Sequence, residues 1–217
     1  MIPRPKPQKC SATIASKTQL TSNIILVDFA LITPPELEFL AGQTLSLNVG
    51  PTTNRSMSIA SPPSEKTHIL MCHDVSPGGP GSLWTINHRE GDAATFMAPL
   101  GLFVMDRESH RKKVMIATGT GIAPFRSMLF DYLGNGGTDD ITLYWGLRHE
   151  EAVYWLDELT DLSLKYQNFR FVLTLSKPSP TWQGAKGRVT DHVVQEESHL
   201  SGSDFYLCGN QEMIKDM

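Results

Sequence analysis

A glycine-rich turn between an apolar strand and a helix constrains the fold of this sequence more than any other feature. The apolar run Val114–Thr118 leads into Gly119-Thr120-Gly121, and a helix follows from about Pro124. The two glycines permit a tight turn and the close approach of a diphosphate, and proline suits a first helical turn because its missing N–H has no partner there. The start of a helix also attracts anions. A plain glycine turn is the alternative, but the strand–turn–helix context favours a dinucleotide-binding α/β domain.

The rest of the second half continues this alternation of strands and helices. We predict four strands, at Lys112–Thr118, Asp140–Trp145, Phe169–Ser176 and Asp204–Cys208. We predict helices at Pro124–Leu133, Glu151–Leu164, Val189–Glu197 and from Gln211 onward. In the second of these helices one apolar face is formed by Ala152, Trp155, Leu156 and Leu159. Such alternation predicts a Rossmann-like parallel sheet.

The first half has a different pattern, in which short β-rich segments are separated by proline and glycine. We predict strands at Ser11–Thr18, Asn23–Leu31, Gln43–Val49, Arg55–Ala60, Thr67–Val75 and Ala93–Ala98. Six antiparallel strands without long helices indicate a small β-barrel, because closure removes exposed strand edges. The pattern changes near residue 107, which predicts a barrel domain over 1–107 and an α/β domain over 108–217.

Composition excludes several classes of protein. The chain has 217 residues and a net charge of −4, so it shows no basic surface for nucleic acid. It has no apolar run long enough to span a membrane and no signal-peptide pattern, which predicts a cytoplasmic protein. Three separated cysteines and seven scattered histidines give no disulfide framework, iron–sulfur cluster or zinc spacing, so we predict no metal site.

Four further segments extend the evidence from the glycine turn. They are Arg55-Ser56-Met57-Ser58, Gly79-Pro80-Gly81-Ser82, Ala98-Pro99-Leu100-Gly101 and Cys208-Gly209-Asn210 with Met213. Together with GTGIAPFRS, these motifs resemble, in the same order, those of the ferredoxin–NADP reductase superfamily. The resemblance covers about residues 10–217. It implies a six-stranded FAD-binding barrel followed by a nicotinamide-binding α/β domain, and an NAD(P)H-dependent flavoprotein oxidoreductase.

The resemblance assigns roles in flavin binding to the first half. Arg55 would bind the FAD diphosphate, because a guanidinium matches phosphate oxygens in a bidentate way. Ser58 would bind the reacting edge of the isoalloxazine near N5. Gly81 and Ser82 would offer backbone N–H groups and a helix cap to the diphosphate. The other residues implied in flavin binding are Ser56, Met57, Cys72, His73, Gly79 and Pro80.

Met57 departs from the family motif, which has tyrosine at this position. A thioether covers less of an aromatic face than a tyrosine ring does. The resemblance therefore leaves open how Met57 affects the affinity for the flavin and the reduction potential of the flavin.

The resemblance also assigns the coenzyme site. Cys208 would lie near the nicotinamide C4 and position it, which makes Cys208 and Ser58 the candidate catalytic residues. The residues implied in coenzyme binding are Gly119, Thr120, Gly121, Pro124, Gly146, Arg148, Ser176, Lys177, Cys208, Gly209, Asn210 and Met213. Arg148 and Lys177 would favour NADPH by neutralising a 2′-phosphate, whereas the segment Trp182–Thr190 is similar to NADH-using members. The choice between NADPH and NADH therefore stays open.

The implied activity is hydride transfer between NAD(P)H and FAD, followed by electron transfer to a separate acceptor. That acceptor would be a ferredoxin, a flavodoxin, a cytochrome or an oxygenase component. Three alternatives remain: a free-flavin reductase, a non-catalytic electron-transfer subunit and a nucleotide-binding regulator. By the same resemblance the sequence ends inside the last expected helix and lacks the family's final strand, which implies an α/β domain that is either truncated or naturally short.

Overall fold

The computed structural model describes residues 4–197 and 200–217. The chain divides into two compact units. The first, which we call the barrel unit, comprises Met1–Met105 and Ala123–Gly134. The second, the α/β unit, comprises Asp106–Ile122 and Asn135–Met217.

The barrel unit contains one antiparallel sheet of six strands. The strands are β1 (Gln8–Gln19), β2 (Ile24–Thr33), β3 (Thr44–Gly50), β4 (Thr53–Ser58), β5 (His68–Asp74) and β6 (Ala93–Leu100). They lie in the order β4-β3-β6-β1-β2-β5. Ile59, just after β4, forms an antiparallel bridge with Met71 of β5, so the sheet curls until its two outer strands meet. This arrangement confirms the predicted antiparallel barrel.

The barrel core follows from the alternation of side chains along the strands. Leu45 and Leu47 are fully buried, whereas Ser46 between them is not, because successive strand residues face opposite sides. Aliphatic and aromatic side chains of the other strands complete the core, among them Ile14, Val27, Phe29, Ile69, Met71 and Phe96.

A short helix interrupts the strands of this unit. Helix α1 (Pro80–Asn87) connects β5 to β6. The prediction of Ser82 as its cap was wrong, because the N-cap is Gly79 and Ser82 lies buried within the first turn. The helix starts earlier since Pro80, with a fixed φ and no N–H to satisfy, occupies its first turn.

The α/β unit contains a parallel five-stranded sheet in the order β10-β9-β8-β7-β11. Its strands are β7 (Lys112–Thr118), β8 (Ile141–Leu147), β9 (Phe169–Leu175), β10 (Ala185–Lys186) and β11 (Ser203–Cys208). The four strands of the prediction are confirmed, and the two-residue β10 was not predicted. All residues of the central strand β8 are buried, as expected for a parallel strand covered on both faces.

The chain has four further helices. They are α2 (Ile122–Gly134), α3 (Leu156–Lys165), α4 (Val189–Glu196) and α5 (Gln211–Asp216). From Ala123 onward, α2 belongs to the barrel unit. Within residues 4–197 and 200–217, no helix is long and apolar enough to cross a membrane.

The predicted helix over Glu151–Leu164 was wrong in its first half. Residues Glu150–Ala152 form a 3-10 turn, and Trp155 has a φ of 54°, in the left-handed region. A residue in that conformation cannot continue a right-handed helix, so α3 begins only at Leu156. Of the predicted apolar face only Leu159 is buried, and Leu162 is its buried partner on α3.

Candidate functional site

Three side chains of the barrel unit converge on the first turn of α1. A Cβ placed on Gly81 would lie 3.2 Å from Cε1 of His73, 3.3 Å from Cε of Met57 and 3.4 Å from Cγ of Arg55. Arg55 and Met57 are two residues apart on β4 and therefore point to the same side. Four of the predicted flavin-binding residues are thus brought together at one end of α1.

The start of α1 suits an anion. No side chain caps it, and the N–H groups of a first helical turn have no partners within the helix. A Cβ on Gly79 would meet no atom within 4 Å, so the approach to this turn is open. The neighbouring Arg55 is exposed, and its Nη1 donates to the Asn54 carbonyl oxygen at 2.9 Å, which leaves other guanidinium donors in reach of a ligand. This donor set fits the diphosphate of FAD.

The far end of α1 is held by Lys17 of β1. The Lys17 Nζ donates to the carbonyl oxygens of Thr85, Ile86 and His88 at 2.5, 3.2 and 2.6 Å. A cation is stabilising at the C-terminal end of a helix. His73 adds a second attachment, because its Nδ1 lies 2.8 Å from the Thr85 hydroxyl. Burial lowers the pKa of His73, against an opposing effect of Asp74, so the ring is neutral at pH 7.

The remaining predicted flavin-binding residues are Ser56, Ser58, Pro80 and Cys72. Ser56 and Ser58 alternate with Arg55 and Met57 and face the other side of β4, where Ser58 is half-buried. Pro80 lies in the first turn of α1. Cys72 is buried on the opposite face of β5 from His73, so the structure does not bring it to the same side as the Arg55 cluster.

Two loops of the α/β unit pack backbone against backbone. The 3-10 turn Gly119–Gly121 follows β7, and Cys208-Gly209-Asn210 follows β11, the strand beside β7. A Cβ on Gly121 would overlap the carbonyl oxygen of Cys208, and a Cβ on Gly209 would overlap the Thr118 hydroxyl. We call residues 118–121 and 208–210 the paired loops.

Hydrogen bonds fasten the paired loops to each other and to α5. The backbone N–H of Asn210 donates to the Thr118 hydroxyl at 2.8 Å. The Asn210 side chain caps α5 by accepting the N–H of Glu212 at 2.8 Å. Met213, one turn into α5, is buried among Val189, Val193 and other core residues. The predicted coenzyme residues of both motifs therefore occupy one place at the carboxyl edge of the sheet, where α/β proteins bind their ligands.

The Cys208 thiol is half-buried at this edge. Burial raises the pKa of Cys208 above its ordinary value, so the side chain is a neutral thiol at pH 7. A neutral thiol is a poor nucleophile, and the site is therefore better suited to positioning a ligand than to covalent catalysis.

Of the predicted ribose-binding residues, Gly146 is buried near the end of β8, whereas Arg148, Ser176 and Lys177 lie on the loops after β8 and β9. A Cβ on Gly146 would lie 3.0 Å from Val189 Cβ and 3.5 Å from Thr118 Cγ2, which places Gly146 directly beside the paired loops. The N–H of Lys177 donates to the carbonyl oxygen of Arg148 at 2.8 Å, and both side chains are exposed together with Ser176. This hydrogen bond joins the loop after β8 to the loop after β9.

An acidic residue missed by the sequence analysis lies in the same pair of loops. The Glu150 carboxylate accepts the N–H of Ser179 at 2.7 Å, and hydrogen bonding to Ser179 lowers the pKa of this carboxyl. The Glu150 carboxylate therefore adds a negative charge to the pair of loops that also carries Arg148 and Lys177.

Sequence analysis also missed three residues that hold backbone carbonyl groups of α1 and of the glycine turn. They are Lys17 at the end of α1, and Trp145 and Tyr154, which both donate to the carbonyl oxygen of Gly119. Each acts on backbone far away in the sequence, so no local motif could have revealed them.

Comparison with known proteins agrees with this geometry. Residues 115–217 match the family model "Oxidoreductase NAD-binding domain". The chain is 32% identical over 185 residues to the ferredoxin–NADP reductase B of Sorangium cellulosum, covering 81% of this chain and 76% of that protein. It is also 32% identical over 207 residues to a probable flavin reductase of Aliivibrio fischeri, covering 92% of this chain and 86% of that protein.

The chain belongs to the ferredoxin–NADP reductase superfamily. It is an NAD(P)H-dependent oxidoreductase of the flavoprotein reductase class. A solved structure of a cytochrome P450 reductase from Amycolatopsis has the same fold, with a TM-score of 0.88 and 25% identity. The alignment covers 96% of this chain and 64% of that one, so the reductase chain is considerably longer.

The close packing of the paired loops predicts that Gly121 tolerates no side chain. Gly121→Ala should lower the free energy of unfolding by about 1–3 kcal/mol, because the new methyl group forces the Cys208 backbone to move. Thermal or urea unfolding of the purified variant measures this loss.

Gly134→Ala is the matched control. Gly134 lies in α2, and a Cβ there would meet no atom within 4 Å, so this variant should be at least as stable as the wild type. A Gly121→Ala protein of unchanged stability would contradict the described packing.

Proposed function

We propose that the domain of residues 1–107 binds FAD, that the domain of residues 108–217 binds NADPH or NADH, and that the chain passes electrons from the coenzyme through the flavin to a separate acceptor. The observation that carries the proposal is that one member of this family has two separate backbone turns suited to an anion. One is the uncapped start of α1 beside Arg55, and the other is the glycine turn of the paired loops. The bound cofactors supply the chemistry, which is transfer of a hydride from the nicotinamide to the flavin.

In the flavin site we propose that Arg55 and the first turn of α1 bind the diphosphate. The guanidinium supplies charge and paired donors, while Gly79, Pro80, Gly81 and Ser82 supply an open helix start. Ser56 and Ser58 present hydroxyls from the other face of β4, and we assign to Ser58 the hydrogen bond to the reacting edge of the isoalloxazine. His73 belongs to the same proposed site because its ring lies beside Gly81, whereas Cys72, on the other face of β5, is not assigned to it.

In the coenzyme site we propose that the Gly119-Thr120-Gly121 turn and the start of α2 at Pro124 bind the diphosphate. The nicotinamide end of the coenzyme would lie against Cys208, Gly209 and Asn210. Met213 is buried behind these three residues. The neutral thiol of Cys208 positions the ring by contact rather than by forming a bond to it.

The choice between NADPH and NADH depends on Gly146 near the end of β8 and on the loops that carry Arg148, Ser176 and Lys177. The two exposed cations favour a 2′-phosphate, whereas the Glu150 carboxylate on the same pair of loops disfavours it. We therefore propose use of both coenzymes rather than strict selection of one.

The acceptor that we propose is a protein, such as a ferredoxin, flavodoxin, cytochrome or oxygenase component, in the cytoplasm. One observation favours a second candidate function, that of a free-flavin reductase. The Aliivibrio protein, to which the chain is 32% identical over 207 residues, is named a probable flavin reductase. Gel filtration of the FAD-loaded protein distinguishes the two, because a flavin that is a substrate separates from the protein and a bound cofactor elutes with it.

Replacement of Arg55 tests the flavin site. Arg55→Ala should raise the dissociation constant of FAD by one to two decades, about 1.5–3 kcal/mol, because a charge-assisted hydrogen bond to the diphosphate is lost. Fluorescence titration of the apoprotein with FAD measures the change.

Arg89→Ala controls for the loss of one positive charge, since Arg89 is an exposed arginine of the same unit beyond the end of α1. Its FAD affinity should equal that of the wild type. Equal affinities for all three proteins would refute the placement of the diphosphate at Arg55.

Replacement of Cys208 tests the coenzyme site. Cys208→Ala should slow flavin reduction by NAD(P)H by more than it raises the dissociation constant of the coenzyme, because positioning contributes mainly to the transition state. Anaerobic stopped-flow measurement at increasing coenzyme concentration separates the two quantities. A limiting rate equal to that of the wild type would show that Cys208 has only a structural role.

A further inference from the structure

Two buried aromatic side chains hold the carbonyl group of the glycine turn. The indole Nε1 of Trp145 donates to the Gly119 carbonyl oxygen at 3.0 Å, and the Tyr154 hydroxyl donates to the same oxygen at 3.2 Å. Trp145 is fully buried and Tyr154 is 5% exposed. A carbonyl oxygen has two lone pairs, so these two donors occupy both of them.

The backbone around Tyr154 is arranged for this contact. The rings of Trp145 and Tyr154 meet edge to face, with centroids 4.9 Å apart and an interplanar angle of 83°. The next residue, Trp155, has the left-handed φ of 54° and packs its ring against Tyr154 at 5.1 Å. An aromatic residue in this conformation is unusual and costs energy, so the surrounding contacts must maintain it.

Fixing the Gly119 carbonyl also fixes the N–H of the next residue. The Gly119–Thr120 peptide is trans, and in a trans peptide the C=O and the following N–H point in opposite directions in one plane. With its oxygen held toward the buried Trp145 and Tyr154, this peptide directs the Thr120 N–H away from them. Gly119, with a φ of 55° and open space where its Cβ would be, permits this orientation.

We propose that Tyr154, together with Trp145, is a positioning residue for the coenzyme: the pair orients the Gly119–Thr120 peptide so that the Thr120 N–H donates to the diphosphate. The inference rests on the proposed coenzyme site and adds to it residues outside the glycine motif. Tyr154 touches neither the diphosphate nor the nicotinamide in this account, and it acts only through the peptide that it holds.

The test compares a ligand that has the diphosphate with one that lacks it. NMR titration gives the dissociation constants of ADP and of adenosine for the wild type and for Tyr154→Phe. The method suits this comparison because it measures dissociation constants even in the millimolar range. The variant keeps the ring and its packing and loses one hydrogen bond to the peptide. Its dissociation constant for ADP should rise about 3–10-fold, and that for adenosine should stay the same.

Tyr166→Phe is the matched control, because it removes a tyrosine hydroxyl from the same unit at the end of α3. Its constants should equal those of the wild type. In steady-state kinetics, Tyr154→Phe should raise the KM for NAD(P)H and leave kcat unchanged, a separation that general destabilisation would not produce.

Three results would overturn the inference. The first is unchanged ADP affinity in folded Tyr154→Phe, and the second is an equal loss for ADP and adenosine. The third needs no variant: a Thr120 amide resonance that does not move when ADP binds to the wild type. A wild-type protein that binds neither ADP nor NAD(P)H would instead overturn the proposed coenzyme site itself.

Discussion

The contact between the backbone of Gly121 and the carbonyl of Cys208 is the constraint on which the candidate coenzyme site depends. The contact brings the ends of two adjacent parallel strands so close that no side chain fits between them. Gly209 makes the reciprocal contact with Thr118. Because both loops are fixed by backbone packing, the Thr120 backbone and the Cys208 side chain keep a constant relation to each other at the sheet edge. A site for positioning a nicotinamide requires such a relation.

The two proposed anion sites are built in different ways. In the barrel unit a charged side chain, Arg55, lies beside the uncapped start of α1, and Lys17 and His73 hold that helix in place. In the α/β unit, neutral backbone groups at the glycine turn replace the charged side chain, and Trp145 and Tyr154 hold them. In both cases the ligand-facing groups belong to recognisable motifs, and the residues that support them lie elsewhere in the sequence.

This division explains how much of the structure could be predicted. The strands of both units followed from local alternation and apolar runs, and the glycine turn followed from its strand–turn–helix context, because these signals lie within a few residues of one another. The supporting contacts of Lys17 and Tyr154 depend on tertiary packing across 68 and 35 residues, which no local pattern encodes. The wrong helix start has the same origin, since the left-handed conformation of Trp155 is stabilised by its packing against Tyr154.

The measurement that tests the central claim most directly is the visible spectrum of the FAD-loaded protein, recorded anaerobically before and after addition of NADPH or NADH. The account predicts an oxidised flavin spectrum that is retained through gel filtration and bleached by at least one of the two coenzymes. A protein that takes up no FAD would contradict the proposed flavin site. A bound flavin that neither coenzyme reduces would contradict the proposed transfer of electrons.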